Sequence, residues 1–262
     1  MKLLIDAGNT RIKWALVNGE EWLCNGDLPA RQAGKLARDI ADRLASLNTG
    51  AGMHDIRQTW VSNVAGEESA QHIRSISISI SISTGKSGPP HFIVAQKMQC
   101  GVRNGYANAS QLGSDRWAAL IAAWRLVQGE CLVVNSGTAT TIDALSGQGE
   151  FLGGLILPGV ELMQRSLVAA TDQLKSEQGG YAQFPLSSAD ALYSGAIQAS
   201  CGAIERQYAL FGHDSAQVVL SGGAAGLLLP HLDQRFFSLP PRVEDNLVLQ
   251  GLLVIASEES AR

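Results

Sequence analysis

The sequence lacks any long apolar run, and this absence excludes a membrane-spanning helix. Apolar residues make up 45% of the 262-residue chain, but they never approach the roughly 18 consecutive positions that such a helix needs. Asp6 breaks the first apolar stretch, so we also expect no signal peptide. We therefore expect a cytoplasmic protein without a membrane partner.

Clustered cysteines and an excess of positive charge are missing as well. The 4 cysteines, at positions 24, 100, 131 and 201, are widely spaced and form no CxxC pair. Such spacing argues against a zinc site and favours a reducing compartment. Acidic residues outnumber basic ones by 24 to 20, which gives a net charge of −4. This balance gives no electrostatic reason to expect a nucleic-acid partner.

The stretch from Leu3 to Lys13 is the most informative part of the sequence. Its apolar residues Leu3–Ile5 are typical of a buried strand, and Asp6 falls where that strand should end. Gly8 and Asn9 tolerate positive φ, so the chain can turn back tightly there. Alternating apolar residues follow and predict a second strand, which makes this stretch a β-hairpin.

Polar groups around this hairpin suit a phosphate ligand. Backbone N–H groups of a glycine-containing turn approach phosphate oxygens closely. Thr10 offers a hydroxyl group and Lys13 a positive charge. Asp6 would repel bare phosphate, so its partner would be a hydrated Mg²⁺ ion carried by a nucleotide. An ordinary hairpin with a polar turn is the alternative.

The same layout returns in the second half of the chain. Residues 131–134 are an apolar strand, followed by the turn Asn135-Ser-Gly-Thr-Ala-Thr-Thr141 and a returning strand. Two such devices in opposite halves indicate a duplicated domain. A chain of 262 residues is long enough for two modest domains.

A third polar turn precedes a helix. Gly113-Ser-Asp-Arg-Trp117 follows a stretch rich in Gly and Asn that contains Tyr106, and the apolar pattern predicts a helix from Asp115 onward. Asp115 could be an N-terminal cap that complements the helix dipole, with Arg116 in a surface ion pair. The alternative is a binding turn in which both side chains face a ligand.

Two further segments carry structural predictions only. Ser75–Ser83 reads SISISISIS, and this perfect alternation predicts a half-buried strand. A low-complexity insertion without function is the alternative. The apolar spacing in residues 160–170 predicts a helix, and the residues expected to face inward are Leu162, Met163, Leu167 and Val168.

Taken in order, three turns and a glycine-rich segment make the chain resemble the type III pantothenate kinases over nearly its whole length. These segments are Asp6–Lys13, Gly113–Trp117, Asn135–Thr141 and Gly153–Gly159. That family belongs to the actin and sugar-kinase superfamily. The resemblance implies an α/β fold of two duplicated ribonuclease H-like domains, each a mixed sheet flanked by helices, with an active-site cleft between them. We place these domains at residues 1–116 and 117–262.

The resemblance also implies a reaction, the ATP-dependent phosphorylation of pantothenate to 4′-phosphopantothenate in the first step of coenzyme A biosynthesis. The implied cofactors are ATP, Mg²⁺ and a monovalent cation, K⁺ or NH₄⁺. Another small-molecule kinase of the superfamily and a non-catalytic nucleotide-binding regulatory protein are the alternatives. The presence of Asp115 and Arg116 favours an enzyme. As in the family, we expect a homodimer.

Site residues follow from matching the family's motifs position by position. The general base maps to Asp115, and Asp6 would hold Mg²⁺ through water. The residues expected at the nucleotide are Asp6, Ala7, Gly8, Asn9, Thr10, Arg11, Ile12, Lys13 and Thr138. The residues expected at pantothenate are Tyr106, Gly113, Ser114, Asp115, Arg116 and Ser188.

One position departs from the family pattern. The family usually has Asp at the start of the second turn, where it helps to bind the monovalent cation, and this chain has Asn135. An amide is neutral and a weaker cation ligand than a carboxylate. We therefore expect monovalent-cation binding at Asn135 to be weakened or lost.

Overall fold

The structure is a computed structural model that describes residues 1–47, 55–84, 88–175, 177–212 and 216–261. Contacts divide the chain into two compact units. The first contains Met1–Cys100, Tyr106–Ala122 and Val248–Arg262, and the second contains Gly101–Gly105 and Ala123–Leu247. The predicted division of the sequence at residues 116 and 117 stays a prediction. None of the helices described has the length and apolar character needed to cross a bilayer.

The first sheet is built from an antiparallel hairpin that is extended on both sides. Its strands are β1 (Lys2–Ala7), β2 (Arg11–Asn18), β3 (Glu21–Pro29), β4 (Gln58–Asn63) and β5 (His91–Phe92), in the order β3-β2-β1-β4-β5. β1 is antiparallel to β2 and parallel to β4. The apolar residues of β1 are fully buried because the strand is central in the sheet, as the sequence predicts.

Helices cover this sheet and enclose an apolar core. They include α1 (Leu36–Ser46), which a short 3-10 helix precedes, and α2 (Glu67–Thr84). Leu36, Ile40 and Leu44 recur at helical spacing on α1 and pack against β-strand residues such as Ile5 and Trp14. This core fixes the position of the β1–β2 turn.

The Ser/Ile repeat is helical, so the strand predicted for Ser75–Ser83 is wrong. The repeat continues α2, which begins at Glu67 with acidic residues in its first turn. Ala70, Ile73 and Ile76 bury one face of that helix. Because Ser and Ile differ little from most residues in helix propensity, packing of this face decides the conformation against the alternating pattern.

Within the described ranges, the second sheet has seven strands. They are β6 (Met98–Gln99), β7 (Val102–Asn104), β8 (Cys131–Ser136), β9 (Ala139–Leu145), β10 (Glu150–Pro158), β11 (Gln217–Ser221) and β12 (Arg242–Val243). The remaining helices are α3 (Ser114–Val127), α4 (Val160–Ala170), α5 (Ser188–Tyr208), α6 (Ala225–Leu228) and α7 (Leu247–Ala261).

The two sheets repeat one topology. The order β10-β9-β8-β11-β12 in the second sheet matches β3-β2-β1-β4-β5 in the first. In both, the first three strands in sequence are antiparallel and the next two are parallel to the first. The predicted α/β fold of two duplicated ribonuclease H-like domains is thereby confirmed.

The second unit exposes large apolar side chains, and two of them, Leu162 and Leu167, are predicted by the sequence to face inward. On α4, Leu162 is 40% and Leu167 49% exposed, and Val160 is the buried residue of that helix. Ile156 on β10 is 66% exposed. The prediction for Leu162 and Leu167 is wrong because amphipathic spacing identifies an apolar stripe but not what covers it.

Candidate active site

The turn between β1 and β2 is tight but contains no left-handed residue. The Gly8 N–H donates to the Arg11 carbonyl oxygen at 3.0 Å, and neither Gly8 nor Asn9 has positive φ. The predicted use of positive φ is therefore wrong. Glycine suits the position for another reason, since a Cβ on Gly8 would lie 3.2 Å from that carbonyl oxygen. Asn9 and Thr10 are exposed at the tip.

The two cations of the hairpin have different surroundings. Arg11 forms an ion pair with Asp27 on β3, across the sheet. Lys13 lies opposite Asp6 in the antiparallel register. Within the described part of the chain Lys13 forms no salt bridge, so its ammonium group is available to a ligand.

A second carboxylate lies close to Asp6. Burial and the neighbouring Asp115 raise the pKa of Asp6 to about 7, and Lys13 acts in the opposite direction. The first unit therefore brings together Asp6 and Asp115, residues from the first and third polar turns of the sequence. An approaching cation would relieve the repulsion between them.

Asp115 belongs to the first turn of α3, as the sequence predicts. Its Oδ1 accepts a hydrogen bond from the Arg116 N–H at 2.8 Å. Its Oδ2 has no hydrogen-bond partner among the residues described. A Cβ on Gly113 would lie 2.6 Å from Asp115 Oδ1, so glycine leaves room for the carboxylate.

Arg116 and Tyr106 contact each other in the same unit. The Arg116 side chain is 6% exposed, and its Nη1 donates to the Tyr106 hydroxyl at 3.2 Å. The guanidinium carbon also lies 5.9 Å from the centroid of the Tyr106 ring. Because Arg116 is buried, it does not fit the alternative in which it forms an ion pair at the surface.

The second polar turn, which lies in the second unit, is fixed by two backbone hydrogen bonds. The Gly137 N–H donates to the Ala139 carbonyl at 2.9 Å, and the Gly159 N–H donates to the Thr138 carbonyl at 2.8 Å. A Cβ on Gly159 would lie 2.0 Å from the Gly137 carbonyl oxygen. The Thr138 side chain itself is exposed.

Asn135 lies at the end of β8, opposite Thr141 in the register. A Cβ on Gly222, which has φ +91°, would lie 2.7 Å from Asn135 Oδ1. The glycine after β11 therefore lets the backbone approach this amide closely.

Ser188 is the first residue of α5 and is exposed. The cap of that helix is its neighbour Ser187, whose Oγ accepts from the Asp190 N–H at 3.1 Å. Hydrogen bonds from the Gly180 N–H and then from the Ser187 hydroxyl hold the pKa of Asp190 below its ordinary value. The Ser188 hydroxyl is therefore left to other partners.

The donors in the first unit fit a divalent cation that a nucleotide brings with it. The described residues contain no group of three His, Cys, Asp or Glu side chains that could form an all-protein metal site. Asp6 and Asp115 supply hard oxygen donors whose charges repel one another. Mg²⁺ keeps several waters and needs only one or two carboxylates beside phosphate oxygens.

Several residues that shape the site have no signal in the sequence. Ser62 and Asn63 on β4 both hydrogen-bond to Ser114 of the third turn. Asp27 on β3 forms an ion pair with Arg11. The segment around Ser62 reads as an ordinary strand, and its role depends on a partner 52 positions away.

The duplicated sheets and their polar turns define the class of the protein, which is the two-domain fold of the actin and sugar-kinase superfamily. The chain is similar in structure to the activator of 2-hydroxyisocaproyl-CoA dehydratase from Clostridium difficile, with a TM-score of 0.55 at 13% identity, covering 99% of this chain and 96% of that one. It is also similar to component A of (R)-2-hydroxyglutaryl-CoA dehydratase from Acidaminococcus fermentans, with a TM-score of 0.54 at 14% identity, covering 100% and 99%.

Sequence comparison identifies the family within this class. The profile of the type III pantothenate kinases matches residues 2–210. The chain is 47% identical to a type III pantothenate kinase of Nitrosospira multiformis, covering 98% of this chain and 92% of that protein. It is 43% identical to one of Aromatoleum aromaticum over 100% of both. The chain belongs to the type III pantothenate kinase family.

Proposed function

We propose that this protein transfers the γ-phosphoryl group of ATP to the hydroxyl group of pantothenate, forming 4′-phosphopantothenate at the first step of coenzyme A synthesis. The observation that carries this proposal is the placement of Asp115. Its carboxylate lies in the first turn of α3, close to Asp6, and the buried cation of Arg116 is the next residue. A base, a metal-binding carboxylate and an acid-binding cation are the groups that this transfer requires.

The phosphates of ATP are assigned to the two polar turns. Phosphoryl transfer depends mainly on positioning and on neutralisation of negative charge. In the first turn, the exposed tip residues Asn9 and Thr10 and the Lys13 ammonium group, which forms no salt bridge among the described residues, would contact the phosphates. In the second turn, Thr138 is exposed and offers a further hydroxyl. Mg²⁺, held by Asp6 through water, would neutralise charge on the phosphates when bound.

Asp115 takes the role of general base. As the pantothenate hydroxyl oxygen bonds to the γ-phosphorus, its proton passes to the carboxylate and ADP leaves with the electrons of the broken bond. The Oδ2 atom, which has no partner among the described residues, is suited to receive that proton. The backbone hydrogen bond to Oδ1 fixes the orientation of the group.

Arg116 takes the role of carboxylate receptor for pantothenate. A guanidinium group binds a carboxylate through two parallel hydrogen bonds, and burial strengthens that interaction. Tyr106 holds the guanidinium in place through its hydroxyl at 3.2 Å. Gly113, Ser114 and Ser188 complete the proposed pantothenate contacts.

The cation site at Asn135 is proposed as a weak one. Ser136 and Thr138 already use their carbonyl oxygens to accept from Ala224 and Gly159 at 3.0 Å and 2.8 Å. The amide of Asn135 adds an oxygen without formal charge, so K⁺ or NH₄⁺ would be bound less tightly than by a carboxylate.

A cytoplasmic homodimer is the proposed form of the protein. Closed two-fold dimers are the commonest soluble oligomers. The exposed apolar side chains of the second unit support this proposal, since burying residues such as Ile156 and Leu167 would be favourable. The four cysteines, all among the described residues, form no disulfide bond.

A coupled assay of ADP release tests the function directly. Pantothenate is compared with a panel of sugars and carboxylic acids at equal concentration. We expect turnover with pantothenate and background rates with the panel. Turnover with a sugar instead would favour another kinase of the superfamily, and nucleotide binding without any turnover would favour a regulatory protein.

A further inference from the structure

Ser62 is a buried hydroxyl that the proposed reaction does not yet use. It lies near the end of β4, is 0% exposed, and is paired with Asp6 in the parallel register of β1 and β4. Its Oγ lies 3.0 Å from the Oγ of Ser114. Ser114 Oγ also accepts from the Asn63 N–H at 3.2 Å. The first residue of α3 is thus fastened to the end of β4, next to Asp115.

The direction of the hydrogen bond between Ser62 and Ser114 follows from their donors and acceptors. A serine hydroxyl has one proton and two acceptor lone pairs. Among the residues described, Ser114 Oγ is the one hydrogen-bond partner of Ser62 Oγ. If Ser114 donated, the Ser62 proton would be buried without an acceptor, which is unfavourable. Ser62 therefore donates, and Ser114 accepts from Ser62 and from Asn63.

This arrangement determines what the Ser114 hydroxyl can offer a ligand. Both of its lone pairs are occupied, and its own proton has no acceptor in the described part of the chain. Ser114 is half-exposed, in contrast to Ser62, and it directly precedes Asp115. The free proton is thus accessible at the start of α3, where it can bind only an acceptor atom.

We propose that Ser62 is a positioning residue that makes Ser114 an obligate hydrogen-bond donor to an oxygen atom of the acceptor substrate. This inference rests on the proposed function, in which that substrate is pantothenate. Ser114 holds a substrate oxygen while the adjacent Asp115 receives the proton of the reacting hydroxyl. Ser62 touches no substrate and acts through Ser114 alone.

Steady-state kinetics of four proteins test this inference: wild type, Ser62→Ala, Ser114→Ala and the double variant. Loss of one neutral hydrogen bond should raise the KM for pantothenate roughly 3- to 10-fold in each single variant, with the KM for ATP unchanged. Because Ser62 acts through Ser114, the double variant should match Ser114→Ala and not show the product of the two effects.

Thr59→Val is the matched control. Thr59 lies on the same strand, is 0% exposed, and has a hydroxyl without a partner among the described residues. Its replacement should leave both KM values unchanged.

Three results would overturn the inference: an unchanged KM for pantothenate in Ser62→Ala, multiplied effects in the double variant, or equal increases in both KM values with a lowered melting temperature. The last result would mean that Ser62 only stabilises the fold. If Ser62→Ala does not fold, Ser62→Cys replaces it under the same criteria, because a thiol is a weak donor. Wild type that phosphorylates a different acceptor would refute the proposed function instead, and the four proteins are then compared with that acceptor.

Discussion

Among single residues, Asp115 carries the most direct prediction for activity. Its carboxylate is oriented by the Arg116 N–H and is proposed to accept the substrate proton. We expect Asp115→Asn to lower kcat by roughly 10²-fold or more, because the amide cannot act as a base. ATP affinity should change little. Turnover of pantothenate at the wild-type rate would mean that Asp115 only caps α3.

Asp6 should make the stability of the ligand-free protein depend on pH. Burial and Asp115 raise its pKa from 3.8 to about 7. Because this folded value exceeds the unfolded one, ionisation of Asp6 destabilises the fold. The resulting decrease in the free energy of unfolding is complete above about pH 7. It disappears near pH 4, where Asp6 is protonated in both the folded and the unfolded state.

We therefore expect Asp6→Asn to raise the melting temperature of the ligand-free protein near pH 8, with a gain that shrinks by about pH 5. Thermal unfolding at several pH values measures this. Asp42→Asn is the control, since that side chain is 72% exposed. A gain for Asp6→Asn that is equal at both pH values would contradict the interpretation.

Asn135 sets the expected response to potassium. An amide oxygen ligates K⁺ without neutralising its charge, so activation by KCl should saturate at a lower concentration in Asn135→Asp than in wild type. Initial rates are measured against KCl, with ionic strength held constant by a bulky organic cation. Saturation at lower KCl in wild type would mean that other ligands build the site.

The sequence singled out Asp6 and Asp115 as candidate site residues because each lies in a local pattern. Asp6 comes directly after the apolar residues of β1, and Asp115 lies in the first turn of the apolar helix α3. The supporting residues could not be found in this way. The roles of Ser62 and Asp27 depend on partners brought near by sheet pairing and helix packing, which the local sequence does not encode.

At the scale of elements, α2 shows how packing overrides a local pattern. Its perfect Ser/Ile alternation favours a strand, yet the helix is fixed by Ala70, Ile73 and Ile76, which bury one face against the sheet. The repeated strand order was more predictable, because two similar turns at the ends of apolar strands indicate a duplication. The conformation of the Ser/Ile repeat is decided by tertiary burial, which no local sequence pattern reveals.

The turn after β8 depends on the start of α4. A Cβ on Gly159 would lie 2.0 Å from the Gly137 carbonyl oxygen and 2.8 Å from that of Thr138. We expect Gly159→Ala to displace this turn and raise the KM for ATP several-fold, with a lowered melting temperature. Gly202→Ala on α5 is the control, because its Cβ meets nothing within 4 Å. Wild-type kinetics and stability in Gly159→Ala would show that the turn is less constrained.

For the whole molecule, the exposed apolar side chains predict self-association. We expect light scattering to give about twice the chain mass of 27.7 kDa. The variant Ile156→Asp places a charge at a position that is 66% exposed on β10, and it should yield the monomer if β10 lies in the interface. Ile78→Asp, at a site 58% exposed on α2, is the control. A wild-type mass near 27.7 kDa would contradict the dimer.

The helix α7 belongs to the first compact unit, although residues 123–247 separate it in sequence from the rest of that unit. A Cβ on Gly251 would lie 1.9 Å from the Ala118 carbonyl oxygen, and Lys2 Nζ donates to the Ala256 carbonyl at 3.1 Å. During synthesis on the ribosome, the first unit therefore cannot complete its packing until residues 123–247 and then α7 have emerged. A chain truncated before α7 would leave the surface around Ala118 uncovered. Chaperones and proteases recognise incompletely folded proteins by such exposed surface.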